Sequence, residues 1–81
     1  MKVLFSDHFT RAFRDAPQIV QRDFGKQLGF ILGNLRHPSL NAKKYDEARG
    51  LWQARVNLDW RCYFSIEDDT YHFHDIIPHP K

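Results

Sequence analysis

The chain has 81 residues, a length that accommodates one domain and buries only about 60% of the surface that the unfolded chain exposes. Cys62 is the single cysteine, which excludes an intrachain disulfide and favours a reducing compartment. No apolar run is long enough to cross a membrane, and the segment before Asp7 is too short for a signal peptide. We therefore expect a single cytoplasmic domain over residues 1–81.

The N-terminal half has the pattern of a short strand followed by two helices. Residues 2–5 read as a strand, and Ser6 can cap a helix over residues 7–14. Pro17 marks the start of a second helix, because proline is tolerated only in the first helical turn. Apolar residues then recur at spacings of three or four, as in an amphipathic helix: Val20, Phe24, Leu28, Ile31 and Leu35. His37-Pro38 is predicted to end this helix, since the residue before a proline avoids the α region.

Three glycines lie four residues apart on the second predicted helix, at positions 25, 29 and 33. Each glycine costs about 1 kcal/mol relative to alanine in a helix interior. The stripe indicates either a close approach of the first helix or a loosely held second helix.

The C-terminal half alternates between apolar and polar residues, which predicts strands. We expect strands over residues 51–58, 60–66 and 70–77, with a turn at 67–69. One face of the first two would be apolar: Trp52, Ala54, Val56, Leu58, Cys62, Phe64 and Ile66. Helices followed by a strand meander predict an α+β fold, in which the helical hairpin packs on a small, mainly antiparallel twisted sheet.

The opposite sheet face would present a basic surface to solvent, formed by Gln53, Arg55, Arg61 and Tyr63. The arginine fork matches phosphate oxygens, and a phenol ring can stack on a base. Residues 36–61 contain six Lys or Arg against three Asp or Glu, whereas residues 62–81 are acidic. This basic middle suits phosphates or an acidic partner, although an ordinary solvated surface explains the same residues.

Histidines near the C-terminus are candidates for metal or proton chemistry. His72 and His74 share a strand face, but no third ligand is visible, so we predict no metal site. His79 lies between two prolines, and histidine can both accept and donate a proton near neutral pH. A loosely held terminal histidine is the alternative. Without a glycine-rich phosphate loop, we expect no small-molecule cofactor.

Four segments of the chain resemble the RelE/ParE toxins of bacterial type II toxin–antitoxin pairs. These are residues 37–44 (HPSLNAKK), 51–56 (LWQARV), 60–64 (WRCYF) and 75–79 (DIIPH). With the helical hairpin, the similarity covers essentially the whole chain. It implies a cytoplasmic toxin that a cognate antitoxin protein wraps and neutralises.

The best-studied members of this family are ribosome-dependent endoribonucleases that cleave mRNA and so block translation. The resemblance places catalytic roles on Arg61, His79, Arg55 and Lys81. Substrate contacts would come from Lys43, Lys44, Gln53 and Tyr63. The ribosome and mRNA are then partners, together with the antitoxin.

Two departures from the family pattern leave a second function open. Gln53 stands where a lysine is often found, and the chain stops at Lys81 without the frequent terminal tyrosine. Other branches of the family poison DNA gyrase and need no catalytic groups. The alternative is therefore a non-catalytic toxin, either a ParE-type gyrase inhibitor or a degenerate toxin that only binds its antitoxin.

Overall fold

A short first strand leads into two helices, and four further strands complete the sheet. The computed structural model describes residues 2–79. Its elements are β1 (Lys2–Phe5), α1 (Asp7–Asp15), α2 (Gln18–Gly33), a 3₁₀ turn (Pro38–Leu40), β2 (Lys43–Asp46), β3 (Leu51–Arg55), β4 (Trp60–Glu67) and β5 (Thr70–Pro78). No helix in this part of the chain is long and apolar enough to cross a membrane.

The five strands form one sheet in the order β1-β5-β4-β3-β2. From β2 to β5 each strand pairs antiparallel with the next, whereas β1 lies parallel to β5. A parallel pair needs a long connection, which here contains both helices and the rest of the sheet. The predicted α+β fold with a mainly antiparallel sheet is confirmed, but the sequence pattern missed β2.

The helix starts were predicted correctly, and the end of α2 was not. The Ser6 hydroxyl accepts the Phe9 N–H at 3.0 Å and so caps α1. The predicted end of α2 at His37-Pro38 is wrong, because the helix stops at Gly33. Asn34 is extended, and its side-chain oxygen accepts the Arg36 N–H at 3.1 Å. Asparagine side chains compete in this way with helical backbone bonds.

The core lies between the two helices and one face of the sheet, and phenylalanine rings form its centre. The Phe24 ring lies 5.2 Å from Phe9 and 5.4 Å from Phe73, and Phe73 lies 5.3 Å from Phe64. Phe64 and Phe73 are fully buried. The predicted inward face of β3 and β4 is therefore confirmed, because Ala54, Cys62 and Phe64 join this cluster.

The turn between β3 and β4 begins earlier than the alternating pattern indicated. β3 ends at Arg55, and the amides of Val56 and Asn57 both bond the Trp60 carbonyl. Leu58 was expected to face the core, but it lies in the turn and is 79% exposed. The Asn57 side chain accepts the Asp59 N–H at 2.9 Å, which closes the turn before Leu58 can continue the strand.

The glycine stripe of α2 faces open space. A side chain built at Gly25, Gly29 or Gly33 would meet no atom within 4 Å. The interpretation that these glycines allow a close approach of α1 is therefore wrong. Their cost to helix stability is not offset by contacts among the described residues.

Candidate functional site

The sheet face turned away from the helices carries most of the predicted functional residues. We call it the open face; on β3 and β4 it comprises Leu51, Gln53, Arg55, Arg61, Tyr63 and Ser65. These residues alternate along each strand with the side chains that point to the core, so they point to the opposite side of the sheet. Lys43 on β2 pairs with Gln53, and Asp75 on β5 pairs with Tyr63, which places both beside this face.

Two arginines face each other at one end of the open face. Arg55 and Arg61 are direct cross-strand partners, at a spacing where like charges repel. Arg61 is held by its Nη1, which donates to the carbonyls of Asn57 at 2.7 Å and Trp60 at 2.9 Å. The Nε of Arg55 is buried and has no hydrogen-bond partner among the described residues. Neither arginine forms an ion pair within residues 2–79, although Arg55 lines a hollow that also includes Asp23 of α2. Both guanidinium groups are therefore available to an anion.

His79 is fixed by its backbone beside the same turn. Its N–H donates to the Asp59 carbonyl at 2.6 Å, and its side chain is exposed. Ile77, two residues earlier, is the cross-strand partner of Arg61. The structure therefore brings His79 to the end of the sheet where the arginines lie. Lys81 lies outside the described residues.

Gln53 and Tyr63 are buried, which differs from the prediction that they face solvent. Gln53 is 7% exposed and Tyr63 is 9% exposed. The Gln53 amide donates to the Tyr63 hydroxyl at 2.8 Å, and the Tyr45 ring packs edge-on against Tyr63 at 4.9 Å. Tyr45 lies on β2, the strand that the sequence pattern missed, so the cover over this pair was not predictable from alternation.

The two lysines of β2 point to opposite faces of the sheet. Lys43 pairs with Gln53 on the open face, as expected. Lys44 pairs with Trp52, and its ammonium lies 5.9 Å from the centre of the Trp52 ring on the helix-covered side. Lys44 therefore does not lie with Lys43 among the substrate contacts that the resemblance implied, because neighbouring strand residues face opposite ways.

A hollow of about 320 Å³ on the open face contains residues that the sequence interpretation missed. Tyr45, Arg49, Tyr63, His74 and Asp75 are among the residues that line it. An irregularity in the β4–β5 pairing leaves His74 without a cross-strand partner. The sequence signal for this bulge is the pair of consecutive polar residues, His74 and Asp75, between two apolar ones.

Hydrogen bonds hold two of the side chains that line this hollow. The His74 ring bonds the Ser65 hydroxyl at 2.8 Å, and the Asp75 carboxylate bonds the His8 ring of α1 at 3.0 Å. No group of three or more histidine, cysteine or acidic side chains that could bind a metal occurs within residues 2–79.

Cys62 is excluded as a nucleophile by its position. It lies on the core side of β4 and is fully buried. Burial raises the pKa of the thiol from 9.0 to about 12, because the apolar surroundings disfavour the thiolate.

The chain is thus a helical hairpin on a mixed five-stranded sheet, with two arginines at one end of the open face. No protein-family model and no curated protein sequence matches this chain. Solved structures share its fold over nearly the whole length of both chains, and three of them are described below.

A YoeB/ParE toxin from Agrobacterium tumefaciens has a TM-score of 0.81 at 8% identity, covering 99% of this chain and 100% of that one. The DinJ–YafQ toxin–antitoxin complex from E. coli gives 0.79 at 13% identity, with 96% and 91% covered. An archaeal RelE–RelB complex from Pyrococcus horikoshii gives 0.77 at 17% identity, with 95% and 92% covered. The chain therefore has the RelE/ParE fold, as its sequence predicted.

Proposed function

We propose that this chain is the toxin of a type II toxin–antitoxin pair and a ribosome-dependent mRNA endoribonuclease. The observation that carries the proposal is the arginine pair at the end of the open face. Arg55 and Arg61 stand opposite each other without an ion pair in the described chain, and His79 is anchored beside the same turn. An anionic ligand bound there would form an ion pair with each of the two guanidinium groups.

The proposed reaction needs no cofactor. The ribose 2′-OH attacks the adjacent phosphate, and the bond from phosphorus to the 5′-oxygen breaks, giving a 2′,3′-cyclic phosphate and a free 5′-OH. Arg61 and Arg55 stabilise the charge that grows on the phosphate oxygens. His79 or Lys81 protonates the leaving 5′-oxygen, and the proton of the 2′-OH passes to a base that we leave unassigned.

The remaining open-face residues position the RNA in this proposal. Lys43 attracts the backbone at the β2 edge of the sheet. Gln53 and Tyr63 are buried beneath Tyr45 and support this face from below, since their mutual hydrogen bond keeps both side chains in place. Lys44 contributes nothing to this face.

We also propose a cognate antitoxin as the physiological partner. The E. coli structure with the same fold is a toxin–antitoxin complex. An acidic antitoxin segment laid over the arginine pair would neutralise it and exclude RNA at once. An 81-residue domain gains stability from such a partner by mass action.

The test is single-turnover cleavage of mRNA in a programmed ribosome. Loss of one pre-organised donor at a developing charge costs about 10²–10³ in rate, and we expect that loss for Arg61→Ala. Arg14→Ala, an exposed arginine at the end of α1, is the matched control and should cleave at the wild-type rate. Because Arg61 also bonds the β3–β4 turn, Arg61→Lys is a second variant, which keeps the positive charge but lacks the guanidinium fork. Its cleavage rate should also be low.

Two outcomes would contradict the proposal. Equal rates for Arg61→Ala and Arg14→Ala would remove the arginine pair from the reaction. DNA damage signalling in cells that express the chain while translation continues would instead favour the gyrase inhibitor.

A further inference from the structure

A second hollow lies on the helix-covered side of the sheet, away from the proposed cleavage site. Its volume is about 550 Å³, and it lies between the segment after α2, the 3₁₀ turn and β3. Arg36, His37, Asn41 and Trp52 are among its lining residues, and no carboxylate is. The open-face hollow, by contrast, includes Asp75, and the hollow beside the β3–β4 turn includes Asp23.

Two aromatic side chains of this hollow are held in fixed orientations. The His37 ring stacks on Phe30 with centres 3.8 Å apart and planes 12° apart, and its Nδ1 accepts the Ser39 N–H at 3.2 Å. Trp52 stacks parallel to Phe64, with centres 6.4 Å apart. Both rings are half-buried. Phe64 and the Lys44 ammonium lie over the Trp52 ring, which leaves its edge to the hollow, whereas Phe30 covers one side of His37.

Two cationic side chains lie near these rings. Arg36 is exposed at the wall of the hollow. The Lys44 ammonium lies 5.9 Å from the centre of the Trp52 ring. A cation beside flat aromatic rings is the combination by which proteins bind single-stranded nucleic acids, with stacking for the base and Lys or Arg for the phosphate.

We propose that this hollow binds one nucleotide of a single-stranded RNA, with the base stacked on the side of His37 away from Phe30, beside the edge of Trp52, and the phosphate on Arg36. Asn41 supplies an amide for a base edge. A volume of about 550 Å³ is in the range of small-ligand sites. An acidic peptide satisfies the cations but has no base to stack on the fixed His37 ring, so the ring geometry favours a nucleotide.

The position of β2 connects this hollow to the open face. β2 is an edge strand of the sheet and has four residues, with Lys43 directed to the open face and Lys44 to the Trp52 ring on the other face. An RNA strand on the open face can therefore reach the hollow around one short edge. The inference goes beyond the proposed function, because binding in the hollow requires no cleavage.

The test uses a short 2′-O-methyl oligouridylate, which cannot be cleaved by 2′-OH attack, and measures its Kd by fluorescence anisotropy. Arg36→Ala should raise the Kd about tenfold, as expected for loss of a hydrogen bond to a charged group. The plot of log Kd against log salt should become shallower by about 0.7, the value for one phosphate contact with a single strand. Arg14→Ala is the control with the same charge change on α1, and its Kd and salt slope should stay at wild type.

A second readout locates the base. In a Trp60→Phe chain Trp52 is the only tryptophan, and its fluorescence should be quenched by the oligonucleotide unless Arg36 is also replaced. Equal Kd values for Arg36→Ala and Arg14→Ala would overturn the proposal, as would an unchanged Trp52 signal at saturation. An acidic peptide that binds through Arg36 while the RNA does not would overturn it in favour of a protein partner. Arg36-dependent binding by a chain that cleaves nothing would support this site while refuting the proposed reaction.

Discussion

Gln27 joins three elements of the fold, and its removal is the sharpest test of how the β3 end of the site is held. The residue lies in the middle of α2 and is 6% exposed. Its amide donates to the carbonyls of Ser39 at 3.1 Å and Arg55 at 2.8 Å, and its oxygen accepts the Ser39 hydroxyl at 3.4 Å. The side chain therefore connects α2 to the 3₁₀ turn and to the strand end that carries Arg55.

Gln27→Leu keeps the side-chain volume and removes both donors. A buried neutral hydrogen bond contributes about 1 kcal/mol net, so loss of the two donated bonds should lower the free energy of unfolding by about 2 kcal/mol. The third bond adds little, because it is long and the Ser39 hydroxyl keeps the His37 ring as a partner at 2.9 Å. For a domain of this size, 1 kcal/mol shifts the Tm by about 4–8 °C, which gives an expected decrease of about 8–16 °C.

Thermal unfolding followed by circular dichroism measures this change. Gln18→Leu is the matched control, because Gln18 is exposed in the first turn of the same helix. A Tm for Gln27→Leu within 2–3 °C of the control, roughly the error of such a comparison, would refute the reasoning that these bonds connect α2 to β3.

Two further predictions concern single positions. Gly29→Ala should raise the free energy of unfolding by about 1 kcal/mol, because the helix interior there has room for a methyl group. Gly50→Ala should lower it by about 1 kcal/mol, because φ is +66°. Urea unfolding of both variants measures the difference, and a gain in stability at both positions would contradict the prediction. Cys62 should not react with a thiol reagent in the native protein at pH 9, because burial raises its pKa from 9.0 to about 12. The free energy of unfolding should fall as the pH rises from 9 to 12, because the thiol ionises first in the unfolded chain. Rapid labelling without unfolding would show that the thiol is accessible.

Local patterns in the sequence predicted the parts of the fold that depend on neighbouring residues. Ser6 caps α1 through a bond to a residue three positions on, and the alternation along β3 and β4 separated Ala54 and Cys62 from Arg55 and Arg61 correctly. Those signals arise within one element, so no tertiary contact was needed to interpret them.

The missed features depend on pairs of elements. β2 is a short polar edge strand whose lysines and aspartate give no alternating apolar signal. Because β2 was missed, the Tyr45 ring that covers Tyr63 was missed as well. Asp75 reached the open-face hollow through a bulge in the pairing of two strands, which a strict two-residue period does not predict.

The burial of Gln53 changes how its departure from the family pattern should be weighed. A lysine at a position that is 7% exposed would have to lose its hydration, which disfavours the charged form. The glutamine instead donates to the Tyr63 hydroxyl and leaves no charge buried. In this chain the position supports the open face from below, and the cations that we place on the scissile phosphate are Arg55 and Arg61 at the turn end. The missing lysine is therefore weaker support for a non-catalytic protein than the sequence alone indicated. Substitution of the arginine pair is the test that distinguishes the proposed endoribonuclease from the non-catalytic alternative.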